Sequence, residues 1–432
     1  MRRTGTGLAF AFALAAAFAP TAAAYVFPLR QLTFDARTKN SLAMNGSVAG
    51  WVACERDPIE GESDPPTCEI EIFDADAGGT SFAITDNAVE DACVAIHQRD
   101  VVFRREIGFG QVILRDLDGG ESILSTTGID TVFYACPLIS ETRVVWQRGA
   151  QIVVYDRALA TERVVGSSTS YMDLSGDYVV WQEGDDDVAE IWFLDASSPS
   201  NLPQRLTTNA IPDVRPNVEE ISTSFSFPPA FVTTPSVVWN RIAGSRYEVS
   251  SWNGATTTEI TAGSAASQFF PDVTDYAPVL IGFEQPLMAW ADSDVRYCTT
   301  CDGNPANLLR LPESDPFLAG DPNTRVEAVS GGWMVFWRIF PGMDARFDLG
   351  FFEIATGTIT PITDDPELDD AATLGFRSVL PVGPAVVFRR VVAEQSQIFY
   401  APEPGPGALA VAGFALAALR LRRARPRHHP VT

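Results

Sequence analysis

The residues able to do chemistry are few in kind. The chain has 3 histidines, and two of them, His428 and His429, lie in the C-terminal tail. A His-based metal centre or a Ser-His-Asp triad would therefore rest on His97 alone. There is no Gly-x-Ser-x-Gly elbow, no phosphate loop and no dinucleotide fingerprint. Carboxylates are plentiful, with 55 Asp+Glu in 432 residues. Two suitably placed carboxylates suffice for glycoside hydrolysis, but in a chain this acidic a pair chosen by eye means nothing. Asp185-Asp186-Asp187 and Asp364-Asp365 with Asp369-Asp370 offer the hard oxygen ligands that Ca2+ favours. Their spacing is not that of a calcium loop, so they read as solvated loops, and no cofactor or metal is expected.

The elements that must carry these groups announce themselves by repetition. Eight short apolar runs end in an aromatic: Trp51, Phe103, Trp146, Trp181, Trp239, Trp290, Trp337 and Phe388. A period of roughly 50 residues is what stacked four-stranded units produce. The fourth unit is the clearest. Tyr178-Val179-Val180-Trp181 reads as one strand, Ile191-Trp192-Phe193-Leu194-Asp195 as the next, and Arg205-Leu206-Thr207 as the start of an outer strand. Units two and three repeat it closely, and units five and seven fit with longer loops. The sixth is the weakest, because Val295-Arg296-Tyr297-Cys298 is short. The reading is an all-β propeller over 25–401 with eight blades, or seven if one unit is an inserted loop. The aromatics read as packing between blades.

The last unit lacks an outer strand, while the segment Leu29-Arg30-Gln31-Leu32-Thr33 has no inner strands of its own. It matches the Arg-Leu-Thr of unit four. The N-terminal strand is therefore expected to complete the last blade and remove an exposed edge.

Register also narrows the 15 connectivities open to six cysteines. Cys54 and Cys68 would face each other across one hairpin. Cys93 and Cys136 each lie ten residues before the marker aromatic of adjacent units, which suits a bridge near the axis. Cys298 and Cys301 form a Cys-x-x-Cys, which can be a redox pair or half a zinc site. With no second thiol pair or histidine to complete a metal site, a loop staple is the better reading. A ligand site, if present, is expected where loops enter the inner strands and rim the channel. The candidates there are Asp91, Asp173, Asp272, Glu327 and the basic Arg377. Two long polar stretches, Arg56 to Thr67 and Asn209 to Thr234, are candidate contact loops or tolerated insertions.

Charge bounds the partner. Lys+Arg number 31 and the net charge is −24. Seven of the arginines lie in the two ends, so the body between them is more acidic still. Nucleic acid and anionic membrane surfaces are thereby disfavoured as partners. Residues 1–24 read as a secretory signal peptide: Arg2-Arg3, an apolar stretch from Leu8 to Phe18, then Ala22-Ala23-Ala24 before a cut at Tyr25.

Residues 402–432 read as a second address. Pro402-Glu403-Pro404 precedes the apolar Gly405 to Leu419, followed by Arg420, Arg422, Arg423 and Arg425. A 15-residue helix would span about 22 Å, short of a bilayer core of about 30 Å. Membrane contact would be through this helix only. The order Pro-Glu-Pro, apolar helix, Arg cluster resembles the PEP-CTERM sorting signal of Gram-negative bacteria. The resemblance implies recognition and cleavage by an exosortase and a place in the envelope, at the cell surface or outside the cell. An ordinary C-terminal anchor is the alternative. The body's pattern of Gly-Asp-x-Val-Val-Trp, polar loop, Ile-x-aromatic-x-Asp and Arg-Leu-Thr resembles the TolB-type propeller repeat. TolB-like propellers most often have six blades, whereas eight units are present here.

These features describe an exported, non-catalytic propeller that presents loops to a surface protein or polysaccharide. Two other functions compete with it. One is a carboxylate-dependent enzyme acting on extracellular glycan, which a tight acid cluster at the channel mouth would favour. The other is a periplasmic TolB-like partner of an envelope complex.

Overall fold

The computed structural model describes residues 29–55, 67–77, 79–106, 110–125, 136–167, 171–224, 231–262, 268–276, 285–291, 295–299, 301–312, 314–318, 323–330, 332–339, 347–363, 368–377, 383–392 and 395–401. The proposed signal peptide, the sorting segment and the stretch 56–66 lie outside the described residues.

Eight four-stranded antiparallel sheets form the blades of a propeller. Blade 1 runs Thr38–Asn45, Val48–Cys54, Cys68–Asp74 and Ser81–Ala83, from the inner strand outward. Blades 2 to 7 follow in chain order with the same meander. Blade 8 takes Leu368–Arg377, Gly383–Val392 and Gln395–Ala401 from the end of the body, and its outer strand is Arg30–Gln31. Arg30 pairs with Tyr400 and Gln31 with Phe399, antiparallel. The N-terminal strand thus closes the ring as the sequence predicts.

The repeat's residues have distinct physical tasks. Second strands such as Val101-Val102-Phe103 and Val179-Val180-Trp181 are buried on both faces between neighbouring sheets, which is why they read as continuous apolar runs. Trp51, Trp146, Trp181, Trp239 and Trp290 are fully buried. They are core, and their size sets how closely blades approach. At Gly166 of blade 3 a Cβ would lie 2.5 Å from the ring of Trp181 in blade 4, so only glycine fits. The threonine after the outer strand is a latch. Thr33, Thr85, Thr207, Thr261 and Thr363 each accept the third strand's backbone N–H (Ile398, Ile70, Ile191, Val249 and Leu349) at 2.8–2.9 Å. The aspartate ending the third strand forms an Asx turn: Asp74, Asp116, Asp156 and Asp195 each accept the N–H two residues on. Arginines then tie blade to blade, Arg99 to Asp74, Arg157 to Asp100, and Arg143 to Asp177.

Three disulfides join Cys54 to Cys68, Cys93 to Cys136 and Cys298 to Cys301, the pairs that register suggests. The first closes a hairpin, the second links blades 2 and 3 beside the channel, and the third staples a loop. The stretch Asn209 to Thr234 is a correction. Most of its described part is strand: Asp213–Ser224 pairs with Phe231–Ala243 through to Ser224 and Phe231, and 225–230 lie outside the described residues. Its prolines and the Glu219-Glu220 pair suggest a loop. The β-branched Val214, Val218, Ile221 and Thr233 nevertheless sustain a long hairpin, whose Thr233 carbonyl accepts the Tyr178 hydroxyl of blade 4 at 3.2 Å.

Candidate functional site

The inner strands line the channel, and six of the eight carry a β-bulge on their entrance half, in blades 1, 2, 5, 6, 7 and 8. Ser41, Cys93 and Arg215 take a left-handed backbone conformation at these bulges, with φ between 49° and 55°. The bulge re-aims the next side chain toward the axis or the neighbouring blade. Because it recurs around the ring, it belongs to the repeat and marks no site by itself.

What differs from blade to blade is the inner-strand residue opposite the position preceding the marker aromatic. Blades 7, 8, 1, 2 and 3 place Val326, Thr373, Ala43, Ala95 and Leu138 there. Blades 4, 5 and 6 place Asp173, Asn217 and Asp272. The Asp173 carboxylate accepts the Val218 N–H of blade 5 at 2.8 Å. Asp272 accepts the Val273 N–H at 2.9 Å, the Val329 N–H of blade 7 and the side chain of Asn217. The triplet therefore stitches four inner strands together. Burial lifts both acids: Asp173 to about 6, and Asp272, which also feels the Asp173 charge, to about 7.

Beside this triplet a cavity of about 400 Å3 opens between blades 4 and 7. Tyr171, Arg215, Asn217, Asp272, Arg325 and Glu327 supply its polar lining, with Met172, Val326 and two prolines between them. The Arg215 guanidinium lies 5.7 Å from the ring centre of Tyr171 and 5.6 Å from that of Tyr247. Arg325 lies 5.9 Å from the ring centre of Trp337. Such stacking orients a guanidinium.

Three of the five channel candidates, Asp173, Asp272 and Glu327, are thus in or beside one site. The other two are elsewhere. Asp91 is fully buried and bonded to Arg105 at 2.8 Å and Asn87 at 2.8 Å, so it is a strand clamp and does not line the cavity. The same Asn-x-x-x-Asp clamp recurs as Asn209 with Asp213. Arg377 ends the inner strand Leu368–Arg377, opposite Gly383, at the exit end of the channel. That strand starts earlier than the sequence suggests, which carries Arg377 the length of the channel away from the mouth. Arg215, Arg325, Tyr171 and Asn217 are the cavity residues that sequence reasoning missed.

Among the described residues no group of three or more His, Cys, Asp or Glu is arranged to hold a metal ion. The Asp186 carboxylate accepts the Gln182 amide at 2.9 Å, and Asp369 is paired with Arg390 at 2.6 Å. No helix among the described residues is long and apolar enough to cross a membrane.

No family model matches the sequence, and no curated protein matches it. Solved structures do resemble the fold. The computationally designed Ika8 protein aligns at 15% identity over 86% of this chain and 98% of its own, with a TM-score of 0.50. The C-terminal WD40 domain of Sif2 aligns at 10% identity over 88% and 100%, also at 0.50. The β-propeller domain of the Trilobed protease from Pyrococcus furiosus aligns at 9% identity over 85% and 96%, at 0.46. At such identities the likeness concerns architecture alone: the chain is an eight-bladed β-propeller.

Proposed function

We propose that this protein is an exported, envelope- or surface-associated propeller that binds a protein or polysaccharide partner without catalysis. The observation that carries this reading is the cavity at the channel mouth, built by four consecutive blades from groups that recognise rather than react. Asp272 in its lining accepts the Val273 and Val329 N–H groups and the Asn217 side chain, and its two arginines lie against aromatic rings. The three disulfides suit an oxidising compartment. On this reading residues 1–24 direct export, and Pro402-Glu403-Pro404 with its helix and arginines is cut by an exosortase-like enzyme.

The test is to recover the protein from its host, sequence both ends by mass spectrometry, and identify what crosslinks to it in intact cells. A chain beginning at Tyr25, ending near Pro402–Pro404 and crosslinked outside the cytoplasm supports the reading. A cytoplasmic chain with both ends intact overturns it. An uncut tail in the inner membrane moves the protein to the TolB-like role in an envelope complex.

One observation favours a second reading, a carboxylate-dependent enzyme acting on glycan. Asp272, held near 7 beside Asp173, is a group with a proton to give at neutral pH. Release of reducing ends from extracellular polysaccharide, lost in Asp272→Asn, would establish it.

A further inference from the structure

We propose that the exit face of the propeller, at the ends of the inner hairpins of blades 5, 6 and 8, docks on a neutral lipid bilayer and turns the channel mouth away from it. This rests on the envelope-associated reading above and extends membrane contact beyond the C-terminal segment.

Chain direction fixes where the tail departs. In each blade the inner strand runs from the mouth to the exit, so the third strand of the antiparallel meander also ends at the exit. The third strand of blade 8 ends at Ala401, which pairs with Val386 and is fully buried. The outer strand of that blade starts beside it, with Arg30 opposite Tyr400. Both ends of the chain therefore leave the ring on the exit side. Between Ala401 and the apolar run that starts at Gly405 stand only Pro402, Glu403 and Pro404. Three residues reach about 10 Å at most. A bilayer that takes up residues 405–419 is thereby held against the exit face.

Hairpin length picks out the blades that meet it. In blades 1 to 4 the second strand starts three residues before the marker aromatic, at Val48, Asp100, Arg143 and Tyr178. In blades 6 and 8 it starts five before, at Gln285 and Gly383, and in blade 5 eight before, at Phe231. At about 3.4 Å per residue these hairpins reach about 7 Å and about 17 Å further toward the exit.

The residues that join the strands divide the same way. Blades 1 to 4 turn on Gly46-Ser47, Gln98-Arg99, Ser140-Glu141-Thr142 and Gly176-Asp177. In blades 5, 6 and 8 the joining residues lie outside the described ones, and the strands on either side bring their ends to the exit face. Their sequences are Phe-Ser-Phe-Pro-Pro-Ala (225–230), Ala-Pro-Val-Leu-Ile-Gly-Phe-Glu (277–284) and Ser-Val-Leu-Pro-Val (378–382). Glu284 is their only charge, in a chain where 20% of residues are charged.

Uncharged apolar segments at three points around the ring suit a broad lipid surface, whereas a protein partner calls for a polar rim. The net charge of −24 gives no attraction to anionic headgroups, so the favourable term is apolar burial in a neutral interface. The depth is that of the headgroup boundary, because unpaired backbone groups are costly in hydrocarbon. The apolar run from Gly405 to Leu419 is a marginal anchor by itself, and a second contact on the same side makes it firm.

The test is flotation of the chain 25–404, which keeps every described strand, with phosphatidylcholine vesicles. The expected result is that it floats. Phe227→Asp, Leu280→Asp and Leu380→Asp together should lower its partition at least tenfold with an unchanged melting temperature. Leu280→Asp alone, the milder variant, should lower it severalfold. Val188→Asp, at a residue 66% exposed on the mouth side, should leave it unchanged. Failure of the chain 25–404 to float overturns the proposal, because contact is then at most through the tail. Equal flotation of the aspartate variants overturns it too. So does a dimer without vesicles that the triple variant abolishes, because a second copy then covers the face. None of these failures touches the exported binding function, which end sequencing and crosslinking in cells test separately.

Discussion

Replacing Asp272 by asparagine should remove one loss of stability that wild type suffers as pH rises. The carboxyl ionises at about 7 in the fold, against 3.8 for the ordinary side chain. The native state therefore holds its proton more tightly than the unfolded chain. Its favourable contribution is complete below 3.8 and is lost as pH rises through 7. At 1.36 kcal/mol per unit the loss reaches about 4 kcal/mol, a ceiling because part of the shift is shared with Asp173. Asparagine removes the ionisation but keeps a single carbonyl oxygen for the N–H groups of Val273 and Val329. That exchange costs about 1 kcal/mol at every pH.

Near pH 4 the variant should match wild type or fall slightly below it. By pH 8 it should exceed wild type by up to about 3 kcal/mol. The gap should widen by about 1.4 kcal/mol per unit between pH 4 and 7 and flatten above. Urea unfolding midpoints of both proteins between pH 4 and 8.5 measure this directly. Asp173→Asn provides the internal control: without the neighbouring charge, the remaining rise should end at lower pH. Parallel wild-type and Asp272→Asn curves would refute the claim that the carboxyl is desolvated in the channel wall.

Other perturbations probe the ring itself. Replacing Cys93 and Cys136 by serine opens a link of sequence separation 43 and should cost about 4 kcal/mol. Removing Cys54–Cys68, with separation 14, should cost about 3 kcal/mol, and thermal melts rank the two. Thr207→Val leaves the Ile191 N–H without its hydroxyl and should cost about 1–3 kcal/mol, read from the unfolding midpoint. Deleting the mature chain through Thr33 exposes the Gln395–Ala401 edge and should lower the melting temperature and promote association, seen by light scattering. A monomeric deletion that melts like wild type would contradict closure by the N-terminal strand.

Much of the architecture was legible because the repeat is written in large residues. The marker aromatics fix each second strand, and the latch threonine fixes the outer one, so Leu29 to Thr33 could be assigned to the last blade. Cysteine pairing followed from the same register. The inner strands resisted reading. They face the channel on one side, need no continuous apolar run, and carry bulges that no glycine marks. Their hairpins also vary in length. Asp173 stands eight residues before Trp181, Asp272 eighteen before Trp290 and Asn217 twenty-two before Trp239. Counting back from the tryptophan aligns Asp173 with neither of its partners. Arg377 was misplaced for the same reason, and Asp91 was mistaken for a rim residue because strand clamps and ligand groups use the same side chains.

The mouth of the channel stands out where it departs from the repeat. Five of the eight blades follow one rule: an apolar or small residue at this inner-strand position, with a neutral hydroxyl making the stitch between blades 1 and 2, as Ser41 does. Blades 4 to 6 break that rule together, on adjoining strands, on the same side as the cavity and its two stacked arginines. A drift toward surface acidity would scatter carboxylates around the ring and leave them in water. Here two are concentrated and desolvated, and the amide between them bonds one of the pair. Local conflict with stability, confined to one cavity, is what selection for recognition leaves in an otherwise self-consistent fold.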